Sequence, residues 1–104
     1  MQDMKPLYHP SCDRITLAGV LYALGDPVRL EILQLLAERG EQPCSAFNCG
    51  LAKSTISHHF KILRESGVIY SEKSGTQHLN SLRRDDLDKR FPGLLDTILS
   101  NCKR

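Results

Sequence analysis

The sequence predicts a mainly α-helical domain carrying one β-hairpin, and three observations support that reading. Two stretches repeat apolar residues at helical spacing between a capping signal and a glycine, from Asp26-Pro27 to Gly40 and from Ser54 to Gly67. Residues 68–82 form two runs suited to strands on either side of Ser74-Gly75, the pattern of a hairpin. The 104 residues, 40% hydrophobic and 25% charged, fit one ordinary globular domain. No apolar run approaches the ~20 residues of a membrane span. The opening Met1-Gln-Asp-Met-Lys-Pro6 lacks the basic-then-apolar layout of a secretion signal, so the expected location is the cytoplasm.

Residues 1–11, with Pro6 and Pro10 and no periodicity, read as an N-terminal arm, and residues 12–102 as the domain. Ser11 is expected to cap a helix over residues 12–24, with Asp13 in its first turn and Gly25 as its stop. Residues 17–24 carry no charge on any face, and a helix apolar all round must be covered all round. In so short a chain the second cover is most simply another subunit. Asp26 and Pro27 then start a second helix with Val28, Ile32, Leu35 and Leu36 as its apolar stripe. Residues 41–51, with Pro43 and Gly50, are short and irregular. Ser54 is expected to cap a helix running to Ser66. Residues 84–90 form a helical turn broken by Pro92-Gly93, and a last helix over 94–102 presents Leu94, Leu95, Ile98 and Leu99.

Charge is uneven along this chain. Residues 51–83 hold five basic and two acidic groups, against four basic and six acidic in residues 1–50. On a helical wheel Ile56, His59, Phe60 and Leu63 share one side of residues 53–63, while Ser54, Thr55, Ser57, His58 and Lys61 face away. Hydroxyls, an imidazole and lysines at the front of a helix suit entry into a DNA major groove. The hairpin that follows is then a wing, whose tip offers Lys73, Gln77 and His78 to phosphate or minor-groove edges. The architecture is a winged helix-turn-helix, and double-stranded DNA is the expected partner. Lys53, Ser54, Thr55, Ser57, His58, Lys61, Lys73, Gln77 and His78 are the expected contacts. His59 is assigned inward. Arg29 is either a structural pairing or a phosphate contact.

Ala23-Leu-Gly-Asp-Pro-Val-Arg-Leu-Glu-Ile-Leu-Gln-Leu-Leu36 and Lys53-Ser-Thr-Ile-Ser-His-His-Phe-Lys-Ile-Leu-Arg-Glu-Ser-Gly-Val68 resemble the ArsR/SmtB-type winged helix-turn-helix repressors. The resemblance implies a homodimer joined through the first and last helices, here Leu17, Val20, Leu21 and Leu24 with Leu95, Ile98 and Leu99. It also implies a repressor whose Ser54, Thr55, Ser57, His58 and Lys61 approach bases and phosphates, and two such helices in successive major grooves make an inverted-repeat operator the expected site. Metal-sensing members often carry a Cys-x-Cys pair before the recognition helix, where this chain has Cys44-Ser-Ala-Phe-Asn-Cys49. Nor does the last helix hold the Asp/His pairs of other members; only Asp96 and Cys102 are candidates there. Neither metal site carries over.

No cofactor is required by this reading. The thiols leave three alternatives: buried small hydrophobes, joint ligands of a thiophilic metal or metalloid inducer from Cys12, Cys44 and Cys49, or a Cys44–Cys49 disulfide. Cys12 stands near His9 in the chain. An enzyme is not expected, since a catalytic thiol needs a base and a cleft. A winged-helix module that binds protein rather than DNA is the rival reading, and it would not need Lys53, His58 and Lys61 on one face.

Overall fold

A computed structural model describes residues 7–47 and 50–102. Among the described residues five α-helices and three strands follow one another: α1 (Leu17–Leu24), α2 (Pro27–Arg39), β1 (Gln42–Pro43), α3 (Lys53–Glu65), β2 (Ile69–Ser74), β3 (Gln77–Leu82), α4 (Arg84–Arg90) and α5 (Leu94–Cys102). Among the described residues no helix is long and apolar enough to cross a membrane. The mainly α class with a hairpin wing is the observed one.

The strongest local signal sits at the start of α2. Asp26 accepts hydrogen bonds from the Val28 and Arg29 amides through its carboxylate, and Pro27 occupies the first turn, where its missing N–H costs nothing. The face that α2 buries is Ile32, Leu33 and Leu36 together with Arg29, while Val28 and Leu35 are only half-buried. Against it pack Val20, Ala23 and Leu24 of α1, Phe60 and Leu63 of α3, Val68, Ile69, Leu87 and Leu95. Each large member contributes ~1.5–3 kcal/mol by leaving water.

Four details differ from expectation. Residues 12–24 are not one helix: Cys12–Arg14 is a separate 3-10 turn, and Thr16 rather than Ser11 caps α1, its Oγ1 accepting from the Gly19 amide at 3.0 Å. The Ser11 hydroxyl instead donates to the Asp13 carboxylate. The break turns Ile15 into the core, where it lies under Gly67. A Cβ on Gly67 would stand 2.5 Å from Ile15 Cγ1, and the glycine φ of +88° is one that side chains avoid.

Nor does Ser54 cap α3. The helix begins two residues earlier, behind Ala52, which contributes only its backbone carbonyl, leaving Ser54 inside the first turn. Residues 42–43 are not irregular but form β1, which pairs antiparallel with Asn80 and Leu79 and gives a three-stranded sheet of order β1-β3-β2. Finally, the two-residue turn of the hairpin is Gly75-Thr76, not Ser74-Gly75, because Ser74 already pairs with Gln77. A positive φ at the first central residue alone, here +65° at Gly75, is the type II′ pattern that suits twisted strands.

Of the expected arm, residues 7–10 have no regular structure, and residues 1–6 lie outside the described residues. The His9 ring stacks on Tyr70 with centroids 4.5 Å apart, and its Nε2 accepts the Ser71 amide at 2.9 Å. Arg83 donates to the Pro10 carbonyl at 2.8 Å. The arm thereby covers part of the free edge of β2.

Candidate nucleic-acid interface

Helix α3 has two faces. Phe60 and Leu63 are buried, Ile56 and His59 are half-buried, and Lys53, Ser54, Thr55, Ser57, His58 and Lys61 are all exposed. The structure therefore brings the six sequence-assigned contacts onto one solvent-facing surface. No acidic residue lies in the first turn of α3, and Glu65 stands at its far end. Among the described residues His59 is the one α3 side chain that hydrogen-bonds to another element. Among the described residues the hydroxyls and lysines of the outer face have no side-chain hydrogen-bond partner, and their donors and acceptors are of the kinds that pair with base edges and phosphates.

What holds this helix in place is a polar cluster beneath it. Arg29 is 7% exposed. Its Nε donates to the Ala23 carbonyl at 2.6 Å, its Nη2 to the Tyr22 carbonyl at 3.4 Å and its Nη1 to His59 Nδ1 at 3.1 Å. The guanidinium also lies 5.5 Å from the Tyr22 ring centroid. A guanidinium only donates, so His59 Nδ1 is an acceptor and a neutral ring carries its proton on Nε2. Asp26 Oδ2 stands 3.9 Å from the same Nδ1. Burial works against the Asp26 charge, but the Arg29 amide, the Arg29 charge and the Val28 amide hold its carboxyl below the ordinary range. One side chain therefore bonds the end of α1 to α3. Of the two readings left open for Arg29, the structure takes the internal pairing, and it places His59 inward.

On the wing, Lys73 and His78 are directly paired across the hairpin, and Gln77 sits at the turn. Lys73 and Gln77 are exposed, while His78 is half-buried. Burial first, then the charges of Arg64 and Lys73, lower the His78 imidazole from its ordinary value. The wing is rooted on Asn80, which is fully buried. Its Nδ2 donates to the Gln42 carbonyl at 3.2 Å and meets Cys44 Sγ at 3.3 Å, and its Oδ1 accepts from the Ser71 hydroxyl at 2.6 Å. Asn80, Ser71 and Arg64 were not singled out from sequence. An asparagine inside a strand, otherwise a poor position for it, was the available signal for the first.

The dimer residues divide. Val20, Leu24 and Leu95 are buried in the chain's own core, Ile98 and Leu99 are half-buried, and Leu17 and Leu21 are 47% and 49% exposed. Tyr22, 68% exposed, lies on the same helix. The large apolar side chains of α1 that stay exposed are therefore Leu17, Leu21 and Tyr22.

The thiols of the described residues have separate neighbours. Cys12 Sγ faces the Asp86 carbonyl at 3.9 Å, Cys44 meets Asn80, and Cys49 lies outside the described residues. His9, near Cys12 in the chain, has its Nε2 occupied by the Ser71 amide. On the last helix Asp96 bonds Arg84 at 3.0 Å, and Cys102 is half-buried. Among the described residues no three His, Cys, Asp or Glu side chains are placed to hold a metal ion together.

Comparison with known proteins agrees with this geometry. Residues 26–71, from the start of α2 into β2, match the family described as bacterial regulatory protein, arsR family. An uncharacterized HTH-type transcriptional regulator of Bacillus subtilis is 36% identical over 84 residues, spanning 78% of this chain and 84% of the relative. One from Methanocaldococcus jannaschii is 39% identical over 83 residues, spanning 78% and 92%. The arsenical resistance operon repressor of Staphylococcus xylosus is 34% identical over 73 residues, spanning 69% and 70%. The fold matches the crystal structure of an ArsR family transcriptional regulator with a TM-score of 0.67 at 24% identity, over 85% of this chain and 98% of that one.

Proposed function

Since the chain belongs to the arsR family of DNA-binding bacterial transcriptional regulators, we propose that it acts as a homodimeric repressor of an inverted-repeat operator. The observation that carries this is the outer face of α3. Six polar or basic side chains stand exposed on one surface, braced by Phe60, Leu63 and the Arg29–His59 bond. In the dimer two such helices enter successive major grooves ~34 Å apart, and each wing clamps flanking backbone with Lys73, Gln77 and His78. The exposed Leu17, Leu21 and Tyr22 of α1 and the half-buried Ile98 and Leu99 of α5 support the pairing surface. Occupied operators exclude polymerase, and the name of the Staphylococcus xylosus relative supports a negative role.

The test is binding of the purified protein to the DNA upstream of its own gene. His58→Ala and Lys61→Ala should each weaken operator binding by roughly 5- to 150-fold, the value of ~1–3 kcal/mol per base or phosphate contact, with unchanged melting. Parent-like affinity in both variants refutes the reading. Weak, salt-insensitive binding by the parent would instead favour the protein-interaction module.

Effector control, by thiophilic ion or by oxidation, is proposed to enter at the thiols Cys12, Cys44 and Cys49. Cys44 supports this because its sulfur faces the Asn80 amide at the root of the wing. Arsenite, cadmium, zinc and an oxidant, each added to the DNA complex, should include one that releases it with ~1–3 kcal/mol of coupling. Release by none of them refutes thiol control.

A further inference from the structure

Arg64 extends the outer face of α3 toward the wing. It lies seven residues beyond Ser57 and three beyond Lys61, so all three side chains share one side of the helix. Its environment differs from that of the other covered arginines. Arg29 bonds two carbonyls and His59, Arg83 bonds Asp86 and the Pro10 carbonyl, and Arg84 bonds Asp96. Arg64 is half-buried, its Nε is shut away from solvent, and among the described residues that nitrogen has no acceptor. No ion pair joins it to a described carboxylate, although Glu65 is its neighbour in the chain.

Its surroundings are cationic or basic rather than acidic. The Arg64 charge reaches His78 on β3 and His9 of the arm, lowering both imidazoles in addition to the effect of burial. Lys73 is the cross-strand partner of His78. A guanidinium that gives up water without gaining an acceptor is costly, and a second cation nearby adds to that cost. An anion would relieve both. A phosphate suits best, because the planar fork of arginine offers it two parallel N–H donors.

We propose that Arg64 binds a backbone phosphate of the operator, at the junction between the reading helix and the wing. This rests on the DNA-binding reading above and adds a contact to it. Arg64 and Lys73 then grip one strand as it passes from the groove read by α3 to the groove met by the hairpin. The contact is blind to base identity, so it sets affinity and register rather than sequence preference.

The experiment measures binding to the operator and to an unrelated duplex by fluorescence anisotropy, across a series of salt concentrations, for the parent, Arg64→Gln and Arg64→Lys. Arg64→Gln should bind both duplexes about tenfold more weakly, the worth of one charge-assisted contact. Its slope of log affinity against log salt should shrink by ~0.9. Arg64→Lys should keep the parent slope while losing part of the affinity, which a purely structural role would not produce. A parent slope in Arg64→Gln overturns the proposal. Phosphate could also come from solution, so inorganic phosphate is titrated into the free protein while the Arg64 Nε–H resonance is followed. A saturable shift together with a parent slope in Arg64→Gln would assign the site to a free anion and overturn the DNA contact. Failure of the parent to bind any duplex would instead bring down the DNA-binding reading on which the proposal stands.

Discussion

Replacing Arg29 by methionine tests the tie between α1 and α3. Methionine keeps most of the buried stem, so the loss falls on hydrogen bonds rather than on packing. Two of the bonds are short, 2.6 Å to the Ala23 carbonyl and 3.1 Å to His59 Nδ1, and the third is long at 3.4 Å. Hydrogen bonds from a charged donor are worth ~1.5–3 kcal/mol each. Two of them, less what the stranded groups recover from water, amount to about 3 kcal/mol. For a domain of this size that lowers Tm by ~12–24 °C. Urea unfolding followed by circular dichroism should show the midpoint fall with the m-value unchanged. The His59 share is isolated by a double-mutant cycle with His59→Ala, which should give about 1 kcal/mol of coupling. If Arg29→Met stayed within ~0.5 kcal/mol of the parent, the guanidinium would not be the tie described here. A coupling of zero with a large single effect would confine its role to the end of α1.

Three other perturbations follow from contacts already described. Gly67→Ala should cost about 2–4 kcal/mol, from the positive φ and the 2.5 Å approach to Ile15 Cγ1. Ile15→Ala in the same chain should return part of that cost, and strict additivity of the two substitutions in denaturant would contradict the packing argument. Asn80→Ala leaves the Ser71 hydroxyl and the Gln42 carbonyl unpaired, at about 1–3 kcal/mol each. Hydrogen exchange should then speed up across β1 and β3 before it does in α2. Acid should destabilise the chain through His9 and His78. Burial first, and then neighbouring arginine or lysine charges, lower both from the ordinary value of 6.5, although a backbone bond at Leu7 pulls His9 the other way. The unfolded chain therefore takes up protons below pH 6.5 that the folded chain resists. Their contribution is whole above that pH and declines as pH falls toward the folded values. Urea midpoints at pH 7.5, 6.5 and 5.5 should decrease in that order, and His9→Gln with His78→Gln should flatten the trend. A midpoint that rises on acidification would exclude this account.

How far the fold could be read in advance depended on how local each cause was. The start of α2 was legible because Asp26, Pro27 and the amides it caps lie within four residues. The two faces of α3 were legible because period alone separates Phe60 and Leu63 from Ser57 and Lys61. β1 was not, since Gln42 finds its partner at Asn80, 38 residues away, and two residues hold no pattern. Ser11 and Ser54 were plausible caps by residue type, but the true boundaries were set by Ile15 turning into the core and by the Ala52 carbonyl. The roles of Arg29 and Arg64 needed three dimensions. Both are arginines on amphipathic helices, and only the acceptors around one and missing from the other set them apart.

The strand order gives the wing the mechanics of a cantilever. β1 reaches only Leu79 and Asn80, so the clamp on the hairpin ends there. From Glu72 to Gln77 every residue is exposed; Lys73 pairs with His78 and Ser74 with Gln77, and the Asn80 Nδ2 reaches no further along the strand than the His78 carbonyl, at 3.4 Å. Bending is therefore concentrated beyond Asn80, while the root keeps its angle to α3. In the proposed DNA complex such a tip would follow a minor groove as its width changes from one operator to another without disturbing the seat of α3 in the major groove. Substitutions at residues 74–77 should accordingly retune which flanking sequences are tolerated and leave the core half-site unchanged.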